Sequence, residues 1–441
     1  MDLLRDKVKP LYFRYLAAAF GSALTTSIYS LVDMAMVGQY QGPTGTAALA
    51  VVAPIWNILY SLGLLTGIGG SVLFSTLRGS SGTRHEDENE YFSTAAAATA
   101  VLSVLCWVLL LFAEVPLLRL FGASDELLPL AQSYLVPVKC TVPVYLFNQM
   151  LAAFLRNDGD PGRATAGVLA GGIFNMIGDY VFVFPLKLGI FGAGLATSIG
   201  AVITCVIMLT HFVSPRNTLR LTRPSRPLLQ CQQITVTGFS SFFIDVAMGI
   251  LTMLFNRQIM HYIGTDGLAI YGIIVNISTF VQCCAYSVGQ AAQPIISHNY
   301  GAKQWSRIRQ TLRYALYSTA VFSVFWTAVT LAFPNAFVRI FMSPTESVLQ
   351  AAPAILRAYG CSFLLLPLNI FSTYYFQSLM KPAAAFAVSV ARGMVLSGAL
   401  IFLLPALFAP AALWFAMPIT ELLVAIAVAV MIVRYTKALQ N

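Results

Sequence analysis

The sequence predicts an all-α integral membrane protein with twelve transmembrane helices. They should form two six-helix lobes related by a pseudo-two-fold axis along the membrane normal. Three observations lead there: composition, the spacing of apolar runs, and a repeat between the halves. The 441 residues are 58% hydrophobic and only 10% charged, against roughly 25% charged in soluble domains. Apolar runs of about 20 or more residues recur along the chain, whereas barrel strands would alternate in segments of about ten.

In order, the runs span approximately 11–38, 45–77, 92–114, 127–155, 162–185, 190–213, 231–261, 265–299, 312–333, 347–379, 383–404 and 411–433. Several are longer than a crossing needs, so tilt, kinks or projection past the lipid are expected. The N-terminal MDLLRDKVKP carries both signs of charge, and no small-residue cleavage site follows a short apolar core. No signal peptide is expected.

The net charge of +9 is topological rather than a sign of nucleic-acid binding. Nineteen of the 26 Lys and Arg residues fall on one side of the spans, from Arg5 through Arg78, Arg84, Arg216–Arg226 and Lys303–Arg313 to Lys437. Only Arg119, Lys187 and Arg339 fall on the other. By the positive-inside rule both termini are cytoplasmic and the number of spans is even.

The strongest break in composition is SPRNTLRLTRPSRPLLQ, residues 214–230. It divides the chain into an N-terminal lobe (1–213), a basic cytoplasmic linker (214–230) and a C-terminal lobe (231–441). The halves match across it. An offset of 222 pairs Gly45 with Gly267 and Gly67 with Gly289, and an offset of 221 pairs Asn148 with Asn369 and Pro161 with Pro382. Six spans separate equivalent segments, so the repeats enter the membrane from the same side. Such parallel repeats mark transporters that alternate access around a site between or within the halves.

Four acids lie inside spans: Asp33, Asp179, Asp245 and Glu421. A carboxylate there costs a few kcal/mol or more on insertion scales, so it faces a cavity, a partner or a mobile cation. Asp33 has no basic residue within its own segment closer than Arg14. Asn175 and Asp179 are four residues apart, hence stacked on one helix face, and Tyr29 stands likewise before Asp33. The sixth span adds the hydroxyl of Thr197. If these helices face one cavity, their oxygens suit Na⁺ or a shared proton; a metal reading assigns Asp33, Asn175, Asp179 and Thr197 to Na⁺. In the second half, Asp245 and Glu421 with Arg257 and Arg392 are candidates for a substrate or second-lobe site. Arg257, Arg357, Arg392 and Lys139 are also candidates to neutralise those two acids.

Other function classes lack their signals. No G-x-x-x-x-G-K-[ST] occurs, and His85, His211, His261 and His298 are scattered. The seven cysteines form no C-x-x-C or Cys/His cluster and read as small buried or lipid-facing residues. No catalytic constellation is apparent, so an enzyme is not expected.

The stretches LVDMAMVGQY with GTAALAVVAPI, GTDGLAIYGIIVN, and AAQPIISHNYGAK resemble the multidrug and toxic compound extrusion (MATE) transporters over essentially the whole chain. The Asn-x-x-x-Asp of the fifth span resembles the prokaryotic branch that includes the DNA-damage-inducible subgroup. The resemblance implies a cation site in the N-lobe made by Tyr29, Asp33, Asn175, Asp179 and Thr197. It also implies export of amphipathic, usually cationic compounds in exchange for Na⁺ or H⁺, with no cofactor. Some relatives bend the first helix at a proline, but here no proline lies between Leu11 and Tyr40 and Gly21 is the flexible point.

The expected protein is thus a multi-pass antiporter of the inner or plasma membrane. Its partners would be organic cations and membrane lipids, not nucleic acid, and it would work as a monomer. Two alternatives stay open. One is a flippase for lipid-linked substrates, although relatives of that kind carry two extra helices and a more basic cavity. The other is a receptor or scaffold that transports nothing.

Overall fold

The computed structural model describes residues 2–80, 85–341 and 346–438; Arg84, counted above among the basic side, lies outside them. Among the described residues the chain is all helical, and twelve helices are long and apolar enough to cross a membrane. They are α1 (Val8–Gly42), α2 (Thr44–Gly79), α3 (Asp87–Phe112), α4 (Leu128–Asn157), α5 (Pro161–Val183), α6 (Gly189–Val213), α7 (Pro227–Tyr262), α8 (Asp266–Gly301), α9 (Trp305–Ala332), α10 (Glu346–Ser378), α11 (Pro382–Leu407) and α12 (Pro410–Ala438).

Several helices begin earlier than the hydropathy limits, most clearly α3 and α9. Their first turns are polar, and such turns need no lipid to stay helical. Proline opens α5, α7, α11 and α12, where its missing N–H would have had no partner in the first turn. Between α1 and α2 the helix is broken at Gly42 (φ 68, ψ −156). Only glycine enters that region without strain, so one residue replaces a loop. Apolar side chains face outwards on many spans, as with Val101 (60% exposed), Leu105 (59%) and Val430 (63%). That surface needs lipid around it.

The chain groups into two compact units. One holds Met1–Asp6 and Ala17–Phe242, the other Lys7–Leu16 and Phe243–Asn441. In the first, a core of Val37, Val52, Ile55, Leu59, Leu135, Val138, Leu146 and Ile190 joins α1, α2, α4 and α6. In the second, Tyr12 stacks on Tyr314 with ring centroids 6.2 Å apart, and Phe255 stacks on Tyr271 at 5.0 Å.

After α6 the chain turns at residues 214–216, and residues 217–222 run outside any helix, hydrogen-bonded to side chains of the first unit. The backbone N–H of Thr218 donates to Asp158 Oδ2 (3.0 Å), that of Arg220 to Asn89 Oδ1 (2.9 Å), and that of Thr222 to Ser93 Oγ (2.8 Å). Donors two residues apart point the same way, as in a chain that alternates its sides every two residues. Asp158 is the anchor. Its carboxylate also meets His211 Nε2 (2.7 Å), Arg78 Nη1 and the Thr218 hydroxyl, while His211 Nδ1 faces Asp160 Oδ2 at 3.2 Å.

Burial pushes the Asp158 carboxyl upwards, but hydrogen bonds from His211 and Thr218 and the charge of Arg78 outweigh it, and the group stays below its ordinary value. A carboxyl depressed by folding stabilises above its unfolded pKa, and that contribution is lost as pH falls through the folded value. Protection of the Thr218 amide against hydrogen exchange should therefore persist down to about pH 4, the ordinary Asp range, and disappear only below it. In Asp158→Asn it should be weakened already at neutral pH. Equal protection in both proteins would remove Asp158 as the anchor.

Candidate functional site

The first unit brings together the residues expected from its sequence. Asp33 comes from the C-terminal third of α1, Asn175 and Asp179 from successive turns of α5, and Thr197 from α6. Asn175 Nδ2 donates to Thr197 Oγ1 at 3.1 Å. Thr197 in turn donates to the carbonyl of Ala193, one turn back, at 3.1 Å. The two carboxylates lie within electrostatic reach of each other. Asp179 is 0% exposed, Asn175 2% and Asp33 9%; Tyr29 and Thr197 are half-buried.

Several oxygens here lack a hydrogen-bond partner among the described residues: Asp33 Oδ1, both carboxylate oxygens of Asp179, and Asn175 Oδ1. Buried polar atoms are nearly always paired, and an unpaired buried carboxylate is costly. An unpaired set of hard oxygens on two helices fits a small hard cation or protons. Among the described residues no basic side chain is paired with either carboxylate; Arg78, Arg163 and Lys139 of the same unit pair with other acids.

Three residues join the site that sequence reasoning left unassigned. Tyr134 on α4, 2% exposed, points its hydroxyl at Asp33 Oδ2 (3.2 Å) and stands 3.5 Å from Thr197 Oγ1. It thereby ties α1 and α6 through α4. Tyr145, also on α4, lies within electrostatic reach of Tyr29, and Trp56 of α2 packs edge-on against Tyr145 with centroids 4.6 Å apart. Nothing local marks these rings among the 30 Phe, 19 Tyr and 5 Trp of the chain; only helix packing selects them. An open groove between α4 and α6, lined by Pro137, Cys140, Thr141, Ser198 and Val202, includes none of the carboxylates.

If the cluster takes a cation, Tyr134→Phe is expected to leave the fold intact and to raise that cation's half-saturating concentration by about tenfold, since a hydrogen bond to a charged group contributes about 1.5–3 kcal/mol. Cation titration of the purified protein reads this, and an unchanged midpoint would assign Tyr134 to packing alone.

The candidates of the second unit separate. Arg392 Nε donates to Glu421 Oε1 at 2.7 Å, with side chains 6% and 0% exposed. Asn369 Nδ2 donates to Glu421 Oε2 (2.6 Å) and to its carbonyl (2.9 Å). Asp245 takes no part in that pair and accepts a hydrogen bond from Tyr286 at 3.3 Å. Arg257 is exposed and makes no ion pair among the described residues. The other candidate neutralisers are engaged elsewhere: Lys139 with Glu114 at 2.7 Å, and Arg357 with the carbonyl of Leu331 at 3.1 Å.

The 221-residue offset that pairs Asn148 with Asn369 also pairs Gly171 with Arg392 and Gly200 with Glu421. In the first unit, α5 and α6 cross backbone to backbone at those glycines. A Cβ on Gly200 would stand 2.7 Å from the Gly171 carbonyl oxygen, and one on Gly171 would collide with Gly200. In the second unit a buried ion pair fills the equivalent place. Residues Ala391–Val395 of α11 form a π-helical turn there, the kind of bulge that re-aims a side chain. Asn148 Nδ2 reaches the carbonyl of Ala201 on α6 (2.8 Å), as Asn369 reaches that of Glu421 on α12.

Comparison with known proteins agrees with this architecture. The chain is 23% identical over 415 residues to the multidrug export protein MepA of Staphylococcus saprophyticus, covering 92% of this chain and 89% of that protein. It is 24% identical over 408 residues to MepA of Staphylococcus aureus strain NCTC 8325, with the same coverage. Among solved structures, the MATE multidrug transporter DinF-BH is 25% identical, with a TM-score of 0.88 over 98% of each chain. A MOP superfamily transporter from Pyrococcus furiosus, described as having a binding pocket of reversed polarity, is 20% identical, with a TM-score of 0.90 over 100% of this chain and 98% of that one. The MatE family model matches residues 18–181 and 240–403, one copy in each half. Twelve spans, a sequence repeat that coincides with those two matches, and full-length likeness to such structures make this chain a member of the MatE family of membrane transporters.

Proposed function

We propose that this transporter is a secondary active antiporter that exports amphipathic, cationic organic compounds in exchange for Na⁺ or H⁺. The observation that carries the proposal is the cluster of buried, unpaired oxygens on Asp33, Asp179 and Asn175. A purely structural polar cluster would satisfy its own hydrogen bonds, whereas a cation site must leave oxygens free for the cation. For Na⁺ the ligands would be Asp33, Asp179, Asn175 and Thr197; for H⁺ the carriers would be Asp33 and Asp179. Tyr134 holds the carboxylate of α1 against α4.

Coupling requires that cation and substrate favour opposite conformational states, since a ligand shifts an equilibrium only by its differential affinity. Cation binding that draws α1, α5 and α6 together supplies such a preference. The multidrug character of the MepA and DinF-BH relatives supports a broad substrate range. The basic-residue asymmetry supports a plasma or inner membrane location with both termini cytoplasmic. We further propose that the six-helix lobes 1–213 and 231–441, joined by 214–230, are the moving parts of a functional monomer.

The test is uptake of a fluorescent organic cation into proteoliposomes under a Na⁺ gradient and a pH gradient, each imposed alone. Flux driven by one of them identifies the coupling ion. Flux that ignores both would overturn antiport and bring a lipid-like substrate to the front.

A further inference from the structure

We propose that the outward side of the linker after α6 is a binding surface for anionic phospholipid headgroups. The linker joins the last turn of α6 to the first turn of α7, so it runs where two spans leave the apolar part of a bilayer. Its inward side is fully engaged. Backbone donors of Thr218, Arg220, Thr222 and Ser225 are held by Asp158, Asn89, Ser93 and Glu90, and Leu219 is 2% exposed. These bonds hold the segment's backbone against the first unit and leave its arginines outside.

The segment exposes Arg216, Arg220, Arg223 and Arg226, none paired with an acid among the described residues. Large apolar side chains stand among and beside them: Val213 is 86% exposed, Leu221 76% and Leu228 87%. Every basic residue of the segment is arginine. The planar guanidinium takes two phosphate oxygens at once, which an ammonium does not. Arginines answer a phosphate diester, and leucine and valine beside them answer the glycerol and acyl boundary just beneath it. A soluble acidic partner would match the charges but leave the apolar side chains in water. A zwitterionic headgroup presents no net charge to four guanidinium groups.

The experiment is lipid retention by the purified full chain, read by native mass spectrometry, with phosphatidylglycerol, phosphatidylcholine or glycerol 3-phosphate titrated in turn. Each basic residue at an anionic surface contributes roughly fivefold in partitioning. Wild type should therefore retain phosphatidylglycerol at least about tenfold better than phosphatidylcholine, and R216Q/R220Q/R223Q/R226Q should lose that preference. Should the fourfold variant fail to fold, R216Q/R220Q and R223Q/R226Q decide: each pair should lower the preference, and what remains should collapse as the Debye length shrinks from about 10 Å towards about 3 Å on adding salt. A preference that survives high salt, or that the variant keeps, overturns the proposal. Glycerol 3-phosphate bound as tightly as the lipid would also overturn it, by showing a site for a free anion.

Discussion

Asp33→Asn is expected to abolish cation-driven export while leaving the protein in the membrane at wild-type abundance. The substitution keeps the shape of the side chain and removes its charge. Its amide can still accept from the Tyr134 hydroxyl that now donates to Asp33 Oδ2, so the packing of α1 against α4 is retained. What disappears is one of the two carboxylates of a cluster that also holds the unpaired amide oxygen of Asn175. In the proposed mechanism, a site left with a single carboxylate holds the cation more weakly, and its binding no longer supplies the differential affinity that drives export. In proteoliposomes, flux of the fluorescent cation should fall to that of protein-free vesicles under both the Na⁺ and the pH gradient. Substrate binding measured without a gradient should survive. Loss of the protein from the membrane would instead give Asp33 a structural role, and undiminished flux would move coupling to Asp179 alone or to the second unit.

The second large effect is expected at Arg392. Removing one partner of a buried ion pair leaves an uncompensated charge, which costs about 3–5 kcal/mol. Glu421 is 0% exposed, and water cannot replace the guanidinium without entering the α11–α12 interface. Arg392→Ala should shorten the half-life of the purified protein at a fixed elevated temperature by at least about tenfold, the quantity to read where unfolding is irreversible. The double variant Arg392→Met, Glu421→Leu removes both charges and should recover most of the loss, because replacing a whole buried pair by apolar groups is often neutral. If Arg392→Ala were as durable as wild type, the pair would contribute nothing to holding α11 on α12. The double variant also separates structure from coupling. If it stays folded and still transports with the same ion dependence, Glu421 is not a coupling group.

How much of this is legible in the sequence differs from residue to residue. The spans are readable because a bilayer forces backbone polar groups to pair within the helix, so apolar length alone reports them. Asn175, Asp179 and Thr197 are readable as a group because two lie one turn apart on one helix and the third is a hydroxyl in the next, and adjacent helices in sequence pack together. Asp33 is readable as a lone acid in a long apolar run. Tyr134, Tyr145 and Trp56 are not. Each is one aromatic residue among many, and its place beside Asp33 or Tyr29 depends on the rotation of α2 and α4 about their axes.

The pairing of Glu421 is likewise open in sequence, where Arg257, Arg357, Arg392 and Lys139 are all candidates. Packing selects Arg392 and directs Lys139 to Glu114 and Arg357 to a carbonyl. The sequence by itself determined the membrane class, the twelve spans, the repeated halves and the acids that a bilayer would not tolerate without purpose. Those follow from local composition, since transfer energies depend on each residue alone. Only the tertiary structure decided which oxygens remain unpaired, which arginine is captive, and that one half closes α5 on α6 through glycines where the other inserts a charge pair. Those are properties of contacts between distant segments, and no single stretch of sequence holds them.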